Sequence, residues 1–308
     1  MAARQWRWLL FSEMLIYLVL GSTLVSGSGW TPLQAAGLAL AFFLGLRLFL
    51  VLLTFGIMLT DRSAVPPELQ IGPFGALRMV LAEYVALILL FAVVMPFESF
   101  WMAPDRLAHC AVRRTPLLLI HGYQCNRGFW VWLRRRLEAA GWTVATHSME
   151  PMWTEIDNYA AGIDRRIDEV LAATDAPQVI LVAHSMGGLA CRAYLRRHGR
   201  AKVARLITLG SVHHGTRLAR LGIGANARQM QIGNPWLKAL GATDAVPLPP
   251  GSASIYSCHD NYVFPQETGS TLEGAANIPI GGVSHIGMAF SPQVLGKLIE
   301  ALEPSIGI

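Results

Sequence analysis

The hydrophobic and polar positions divide the chain into two parts. Three long apolar runs, at about 8–25, 33–59 and 77–97, occupy the first hundred residues. Because a helix of about 20 apolar residues crosses the hydrocarbon core of a bilayer, each run is long enough to span a membrane. The first run resembles a signal peptide as well, but the two runs behind it favour a retained membrane region. We therefore predict an all-α transmembrane region over residues 1–104, with about three spanning helices.

After residue 104, short apolar runs alternate with amphipathic stretches. This alternation predicts an α/β domain over residues 105–308, with a mainly parallel sheet and helices on both faces. The predicted strands are Pro116–Ile120, Thr143–Ser148, Gln178–Ala183, Val203–Leu209 and, more weakly patterned, Ser254–Ser257 and Ile278–Ile280. The predicted helices are Phe129–Ala140, Asp157–Ala173, Leu189–His198 and Ser291–Leu302.

The composition supports a membrane protein. The 308 residues are 53% hydrophobic and 15% charged, whereas about 25% charged is usual for soluble domains. The formal net charge is +5, but the basic residues are scattered and do not interleave with aromatic residues as nucleic-acid-binding motifs require. Anionic lipid headgroups attract a basic surface. We therefore expect the partner to be a membrane and not a nucleic acid.

The arginines near the apolar runs predict an orientation. Arg4 and Arg7 precede the first run, Arg62 and Arg78 flank the turn between the second and third, and the loop at 26–32 is uncharged. Basic residues favour the cytoplasmic side of short loops. With three crossings, the N-terminus is cytoplasmic and everything after residue 101 lies on the opposite side. The expected location is the inner (cytoplasmic) membrane, with the α/β domain on its periplasmic side.

Two ionisable residues, Arg47 and Glu83, lie within the apolar runs. Such residues are costly in lipid and often mark functional positions. We expect Arg47 and Glu83 either to pair with one another or to extend toward an interface.

Ser185 lies in a pattern that suits a nucleophile. The segment Ala183-His184-Ser185-Met186-Gly187 follows a predicted strand and opens a predicted helix. A sharp turn of this kind exposes a serine hydroxyl to a base and to a substrate, and it needs small residues on either side. An earlier predicted strand ends in His121-Gly122. We therefore expect the backbone amides of Tyr123 and Met186 to form an oxyanion hole.

An acid and a histidine should follow the serine, each after a strand. Asp260 follows the predicted strand Ser254–Ser257, and His285 follows Ile278–Ile280. Asp244 is the rival acid, but its surroundings predict a loop.

The remaining histidines and the cysteines are given structural interpretations. We expect His184 to make a structural hydrogen bond, His121 to brace the oxyanion loop, and His213 and His214 either to organise a loop or to line an acyl pocket. His147, His198 and His259 are interpreted as surface or locally bonded residues. Cys110, Cys125, Cys191 and Cys258 have no metal-ligand spacing, so no metal is expected. Disulfide pairing stays open, and Cys191 is assigned to the core.

Three segments together resemble the small secreted Bacillus lipases. They are Val182 to Gly188 (VAHSMGG), Ser254 to Asp260 (SIYSCHD) and Gly282 to Gly287 (GVSHIG), and the similarity extends over roughly 115–302. The resemblance implies an α/β-hydrolase fold and a triad of Ser185, Asp260 and His285, with the amides of Tyr123 and Met186 as oxyanion donors.

Three features depart from that resemblance. The segment 210–216 is more similar to larger bacterial lipases, and the stretch 217–250 is longer than in the small enzymes. That stretch is either a lid that contacts the membrane or an ordinary loop over the site. The apolar N-terminal runs are the third departure, because the resemblance implies a freely secreted enzyme.

The expected chemistry is hydrolysis of carboxylic esters through an acyl-enzyme, with no cofactor. A membrane anchor favours a lipid or another apolar ester as substrate. The alternatives are a carboxylesterase for short or soluble esters and a non-catalytic membrane scaffold that retains the fold. The sequence leaves the natural substrate, the acyl-chain preference and the oligomeric state open.

Overall fold

A computed structural model describes residues 1–107, 114–242 and 248–303. The strands are β1 Leu117–Ile120, β2 Val144–His147, β3 Val179–His184, β4 Val203–Leu209, β5 Ala253–Ser257 and β6 Ala276–Ile280. The helices are α1 Ala2–Ser28, α2 Pro32–Met58, α3 Pro73–Ile88, α4 Glu98–Trp101, α5 Val131–Ala139, α6 Ala160–Thr174, α7 Met186–His198, α8 Ala225–Gln229, α9 Pro235–Ala242, α10 Gln266–Ser270 and α11 Pro292–Leu302. Each predicted strand and helix of the α/β domain corresponds to one of these elements.

The six strands form one sheet in the order β2-β1-β3-β4-β5-β6, and every neighbouring pair is parallel. A parallel sheet is buried on both faces, which explains why β1 and β3 are continuous apolar runs. The predicted fold class is confirmed. Because the carboxyl ends of parallel strands meet at one edge, the loops after β1, β3, β5 and β6 lie close together.

Alternate residues of each strand pack into two different cores. Leu117 and Leu119 face α5 and α11 on one side of the sheet, whereas Leu118 and Ile120 face α6 and α7 on the other. This alternation follows from the period of two in a strand. The sheet is thus covered by helices on both faces, as predicted.

The N-terminal region contains three helices that are long and apolar enough to span a membrane, as expected. They are Ala2–Ser28, Pro32–Met58 and Pro73–Val94, with mean hydropathies of 1.8, 2.4 and 2.3. The last includes a π-helical turn, Leu89–Val94, that continues α3. Large apolar side chains cover the outside of α1 and α2; Leu18 and Phe42, for example, are 69% and 60% exposed. A continuous exposed apolar surface of this size is typical of helices that lie in lipid.

Helices α1 and α2 form an antiparallel hairpin, and both of its ends contact the α/β domain. Near the start of α1, the amide of Ala2 donates to Glu150 (2.8 Å) and the Trp6 indole donates to the carbonyl oxygen of Gln124 (2.9 Å). Near the end of α2, Thr54 Oγ1 accepts from Asn261 Nδ2 (2.8 Å). Contacts of this length cannot reach across about 30 Å of hydrocarbon. These contacts favour an arrangement in which the N-terminus and the α/β domain lie on one side of a membrane, whereas the predicted arrangement puts them on opposite sides.

Helix α3 packs along the α/β domain. Met79, Glu83 and Ala86 are buried on its inner face, and Leu90 and Val94 of the π turn belong to the same core as Leu117 of β1. A hairpin that crosses a bilayer twice, with α3 against the domain, would keep both ends of the N-terminal region on one side.

The two ionisable residues in the apolar runs have separate partners. Arg47 forms a bidentate ion pair with Glu13 of α1. Glu83 accepts hydrogen bonds from the amide of Gly287 (2.9 Å) and from Asn261 Nδ2 (3.1 Å). The expectation that Arg47 and Glu83 pair with one another is wrong, because the hairpin faces Arg47 toward α1 while Glu83 faces the α/β domain.

Candidate active site

Ser185 occupies a strained turn between β3 and α7. Its backbone angles are φ 55° and ψ −126°, a conformation that costs of order 1–3 kcal/mol for a residue other than glycine. The glycines beside the turn allow close packing. A Cβ on Gly187 would lie 2.5 Å from the carbonyl oxygen of His121, and one on Gly122 would lie 2.8 Å from Ser185 Cβ. These close approaches explain why positions 122 and 187 need glycine.

Ser185, His285 and Asp260 form a chain of hydrogen bonds. The distance from Ser185 Oγ to His285 Nε2 is 3.0 Å, and the distance from His285 Nδ1 to Asp260 Oδ2 is 2.8 Å. A carboxylate only accepts hydrogen bonds, so Nδ1 donates to Asp260 and Nε2 is left to accept from the serine. The structure therefore brings together all three residues that the sequence predicted.

Asp260 is fully buried and held by backbone donors. Its Oδ1 accepts from the amides of Tyr262 and Val263, both at 2.8 Å. These bonds leave Oδ2 free to bind His285 and fix the direction of the carboxylate. The rival acid, Asp244, lies outside the described residues.

His285 is held by packing as well as by Asp260. Its ring stacks on Tyr262, with centroids 5.0 Å apart, and its amide donates to Asn261 Oδ1 (3.1 Å). Burial raises the pKa of Tyr262, so this phenol stays neutral beside the imidazole. The same Asn261 reaches Glu83 of α3, which links the histidine loop to the N-terminal helices.

The amides predicted to form an oxyanion hole belong to segments that adjoin Ser185. Met186 is the first residue of α7, where helix amides have no partner within the helix. Tyr123 follows Gly122 at the end of β1. Within the described parts of the chain, neither amide has a hydrogen-bond acceptor. Both donors are thus available to an oxygen atom at the serine, and their role stays a prediction.

Two neutral histidines support the turn. His121 Nδ1 bonds the carbonyl oxygen of Gly122 (2.8 Å), and its Nε2 accepts from the amide of Met149 (2.9 Å). His184 stacks on Phe129 and bonds the carbonyl oxygen of His285 (3.3 Å). Burial lowers the pKa of His121 to about 4 and that of His184 well below its usual range. Both histidines therefore have the structural roles expected of them.

His213 also organises a loop. It is buried and bonds Thr208 Oγ1 (3.0 Å), and burial lowers its pKa well below the usual value. Neither His213 nor the exposed His214 is among the described residues that line the cavity at Ser185. The loop-organising alternative is the one that the structure favours.

A cavity of about 770 Å³ opens at Ser185 and His285. One wall comes from the segment after β4, where Leu218, Leu221 and Ile223 line it. The other wall comes from the N-terminal helices α1, α2 and α3. Sequence reasoning missed this second wall, because no pattern in an apolar run indicates which side faces a site.

The stretch 217–250 forms a 3₁₀ turn at Arg217–Leu221 followed by α8 and α9, with 243–247 outside the described residues. The phenol of Tyr123 donates to the carbonyl oxygen of Ile223 (2.6 Å) and accepts from its amide (2.9 Å). Leu221 and Ile223 are 69% and 64% exposed. The stretch thus covers the site and presents apolar side chains outward; whether it moves as a lid stays a prediction.

The cysteines and acids do not assemble a metal site among the described residues. Cys125, Cys191 and Cys258 are free thiols there, and Cys110 lies outside them. Cys191 is buried in the core, as expected. Cys125 lines the cavity, but burial raises its pKa to about 12, so it is a poor nucleophile compared with Ser185.

Comparisons with known proteins agree with this architecture. Residues 115–230 match the family described as alpha/beta hydrolase fold. The mature form of the Bacillus licheniformis lipase BlEst2 is 19% identical, with a TM-score of 0.57 over 66% of this chain and 98% of its own. Aspergillus fumigatus lipase B is 18% identical, with a TM-score of 0.57 over 65% of this chain and 55% of its own. At such identities the likeness shows the fold. The chain therefore has an α/β-hydrolase fold preceded by three long apolar helices.

Proposed function

We propose that this protein is a membrane-bound serine hydrolase that cleaves carboxylic esters of lipids. The observation that carries the proposal is the chain from Ser185 Oγ to His285 Nε2 (3.0 Å) and from His285 Nδ1 to Asp260 Oδ2 (2.8 Å). A hydroxyl becomes a nucleophile when a base takes its proton, and this base is oriented by a buried carboxylate. The fold related to lipases and the three motifs in order support the same assignment.

The proposed reaction has two halves. His285 Nε2 takes the proton of Ser185, the serine oxygen bonds to the ester carbonyl carbon, and the resulting tetrahedral intermediate expels the alcohol, which takes that proton from His285. Water then adds to the acyl-enzyme in the same manner, which releases the acid and restores the serine hydroxyl. Asp260 holds the imidazole in the required tautomer and stabilises its charged form.

The oxyanion of each intermediate would be stabilised by the amides of Tyr123 and Met186. Loss of one such donor typically costs about 2.7 to 4 kcal/mol in the barrier. The neutral state of His184, next to His285, fits this mechanism, because it adds no positive charge that would oppose protonation of His285.

Lipid esters are the proposed substrate class because the cavity at Ser185 is mostly apolar and adjoins helices that belong in lipid. A carboxylesterase for short or soluble esters is the closest alternative. It predicts that activity declines as the acyl chain lengthens, whereas a lipase maintains or increases it.

A fluorophosphonate probe tests the proposal against a non-catalytic scaffold. The probe phosphonylates a serine, with loss of fluoride, only when a base activates that serine, so the wild-type chain in detergent should be labelled at Ser185. His285→Ala should lose most of the labelling, because the base is gone, and Ser185→Ala should lose all of it. A folded wild-type protein that does not react would favour the scaffold.

The proposed location of the catalytic domain is the cytoplasmic face of the membrane. With the hairpin as the only pair of crossings, the basic residues Arg4, Arg7 and Arg62 lie at its domain end, and the turn at 29–31 is uncharged. Basic residues favour the cytoplasmic side. A reporter active only outside the cytoplasm should be silent after residue 308 and active when inserted in the turn. The reverse pattern would restore the periplasmic location.

A further inference from the structure

The wall that the N-terminal helices contribute to the cavity is mostly apolar, apart from Glu13 and Arg47. Its residues come from all three helices: Leu9 and Leu10 of α1, Leu46 and Leu50 of α2, and Leu87 and Phe91 at the end of α3. These residues form one continuous lining with Ser185 and His285. A substrate bound at the serine therefore has an apolar space beside it that the α/β domain alone does not provide.

The same wall borders the lipid surface. Leu9, Leu46 and Leu50 line the cavity and are 56%, 46% and 44% exposed. The helices that line the cavity are therefore also the ones that carry the exposed apolar surface of the N-terminal region.

The two charged residues in this wall form an ion pair with each other. Glu13 and Arg47 both line the cavity, but Nη1 and Nη2 of Arg47 both donate to the Glu13 carboxylate. Tyr17 donates to the same carboxylate (2.7 Å). The pair has no net charge, so it offers no binding site for a phosphate headgroup. An uncharged occupant fits this part of the cavity better than an anion.

The geometry points to an acyl-chain site built by the N-terminal helices, in which the fatty acyl group of the ester lies between α1, α2 and the end of α3. The acyl chain reaches it sideways from the bilayer while its carbonyl carbon meets Ser185. This inference rests on the proposed ester hydrolysis. It assigns the helices a part in substrate selection in addition to anchoring.

Filling the site tests the inference. Leu50→Trp places an indole in the cavity wall, whereas Leu48→Trp, on the same helix at a position 39% exposed and outside the lining, is the matched control. The measurement is kcat/KM for p-nitrophenyl palmitate relative to p-nitrophenyl butyrate, on the full chain in detergent. Leu50→Trp should lower this ratio at least tenfold, and Leu48→Trp should leave it at the wild-type value.

The outcomes separate the two proposals. If the wild-type chain hydrolyses neither ester, the proposed function fails and the acyl site fails with it. If the wild type hydrolyses both esters and Leu50→Trp keeps the wild-type ratio, only the acyl site is refuted.

A cross-linking experiment covers the case in which Leu50→Trp does not fold. A long-chain alkyl fluorophosphonate with a diazirine at the chain end is first attached to Ser185 of the wild-type protein and then photolysed. The cross-links should map to α1 and α2, near Leu9, Leu46 and Leu50. Cross-links confined to the stretch 217–232 would overturn the inference.

Discussion

Glu83 of α3 connects the N-terminal helices to the catalytic histidine. Its carboxylate accepts from the amide of Gly287 (2.9 Å) and from Asn261 Nδ2 (3.1 Å). The side-chain oxygen of Asn261, Oδ1, accepts from the backbone amide of His285 (3.1 Å). Replacement by alanine therefore removes the acceptor that fixes the loop on which His285 lies.

The expected loss of stability follows from the donors left behind. Glu83→Ala leaves the half-buried Gly287 amide and one buried Asn261 donor without this acceptor, and each such group costs about 1 to 3 kcal/mol. Removing a buried carboxylate recovers part of this cost, so we expect a net loss of about 2 to 3 kcal/mol in the free energy of unfolding. For a chain of this size, each kcal/mol lowers Tm by about 2 to 4 °C, so the total shift is about 4 to 12 °C.

Thermal unfolding in detergent and ester kinetics would test this prediction. Glu83→Ala should lower Tm and reduce kcat more than it raises KM, because His285 is displaced while the acyl cavity is retained. Glu83→Gln keeps one acceptor oxygen and should lie between the alanine variant and the wild type. Glu68→Ala, at an exposed position, is the control. A Glu83→Ala variant with the Tm and kcat of the wild type would refute the reasoning.

Three further predictions concern the site and its supports. Asp260→Asn should lower kcat on p-nitrophenyl butyrate by about 10⁴-fold, because the amide favours the wrong imidazole tautomer; near-normal turnover would exclude Asp260 as the acid. Gly187→Ala should lower Tm, because its Cβ would lie 2.7 Å from the carbonyl oxygen of Ile120, whereas Gly296→Ala in α11 meets open space and should not lower it. Tm should also fall as the pH drops from 7.5 to 5. The pKa of His121 is near 6.5 in the unfolded chain but about 4 in the folded chain, so between these pH values only the unfolded chain binds the proton. The free energy of unfolding therefore falls as the pH drops below 6.5, by about 2 kcal/mol at pH 5. A Tm unchanged between these pH values would contradict the buried, neutral histidine.

The sequence predicted the parts of the fold that local pattern determines. Strand β4 has the predicted bounds, Val203–Leu209, because most of its positions are apolar, as a buried parallel strand requires. The start of α7 was placed too late, at Leu189 instead of Met186. Gly187 and Gly188 weaken the helical signal, but tertiary packing requires them there.

The residues of the candidate triad were predictable because chain order and strand ends restrict them. Ser185, Asp260 and His285 each follow a strand of one parallel sheet, so their side chains converge at one edge. The partnership of Glu83 with the histidine loop was not predictable. It joins positions about 200 residues apart. By hydropathy alone, Glu83 is only an unfavourable charged residue within a predicted membrane span.

The packing of α3 against the α/β domain was not predictable for a similar reason. Length and hydropathy give α3 the same signal as α1 and α2. What separates them is that Leu90 and Val94 pack into the core of the α/β domain, and this packing depends on the tertiary fold. A topology with two crossings in place of three would reverse the predicted side.

Hydrolysis of p-nitrophenyl esters by the purified full chain tests the central claim most directly. The wild-type protein in detergent should release p-nitrophenol catalytically, and Ser185→Ala, at an unchanged Tm, should reduce the rate to that of the buffer. A folded Ser185→Ala variant that retains wild-type turnover, or a folded wild-type protein with none, would contradict the account.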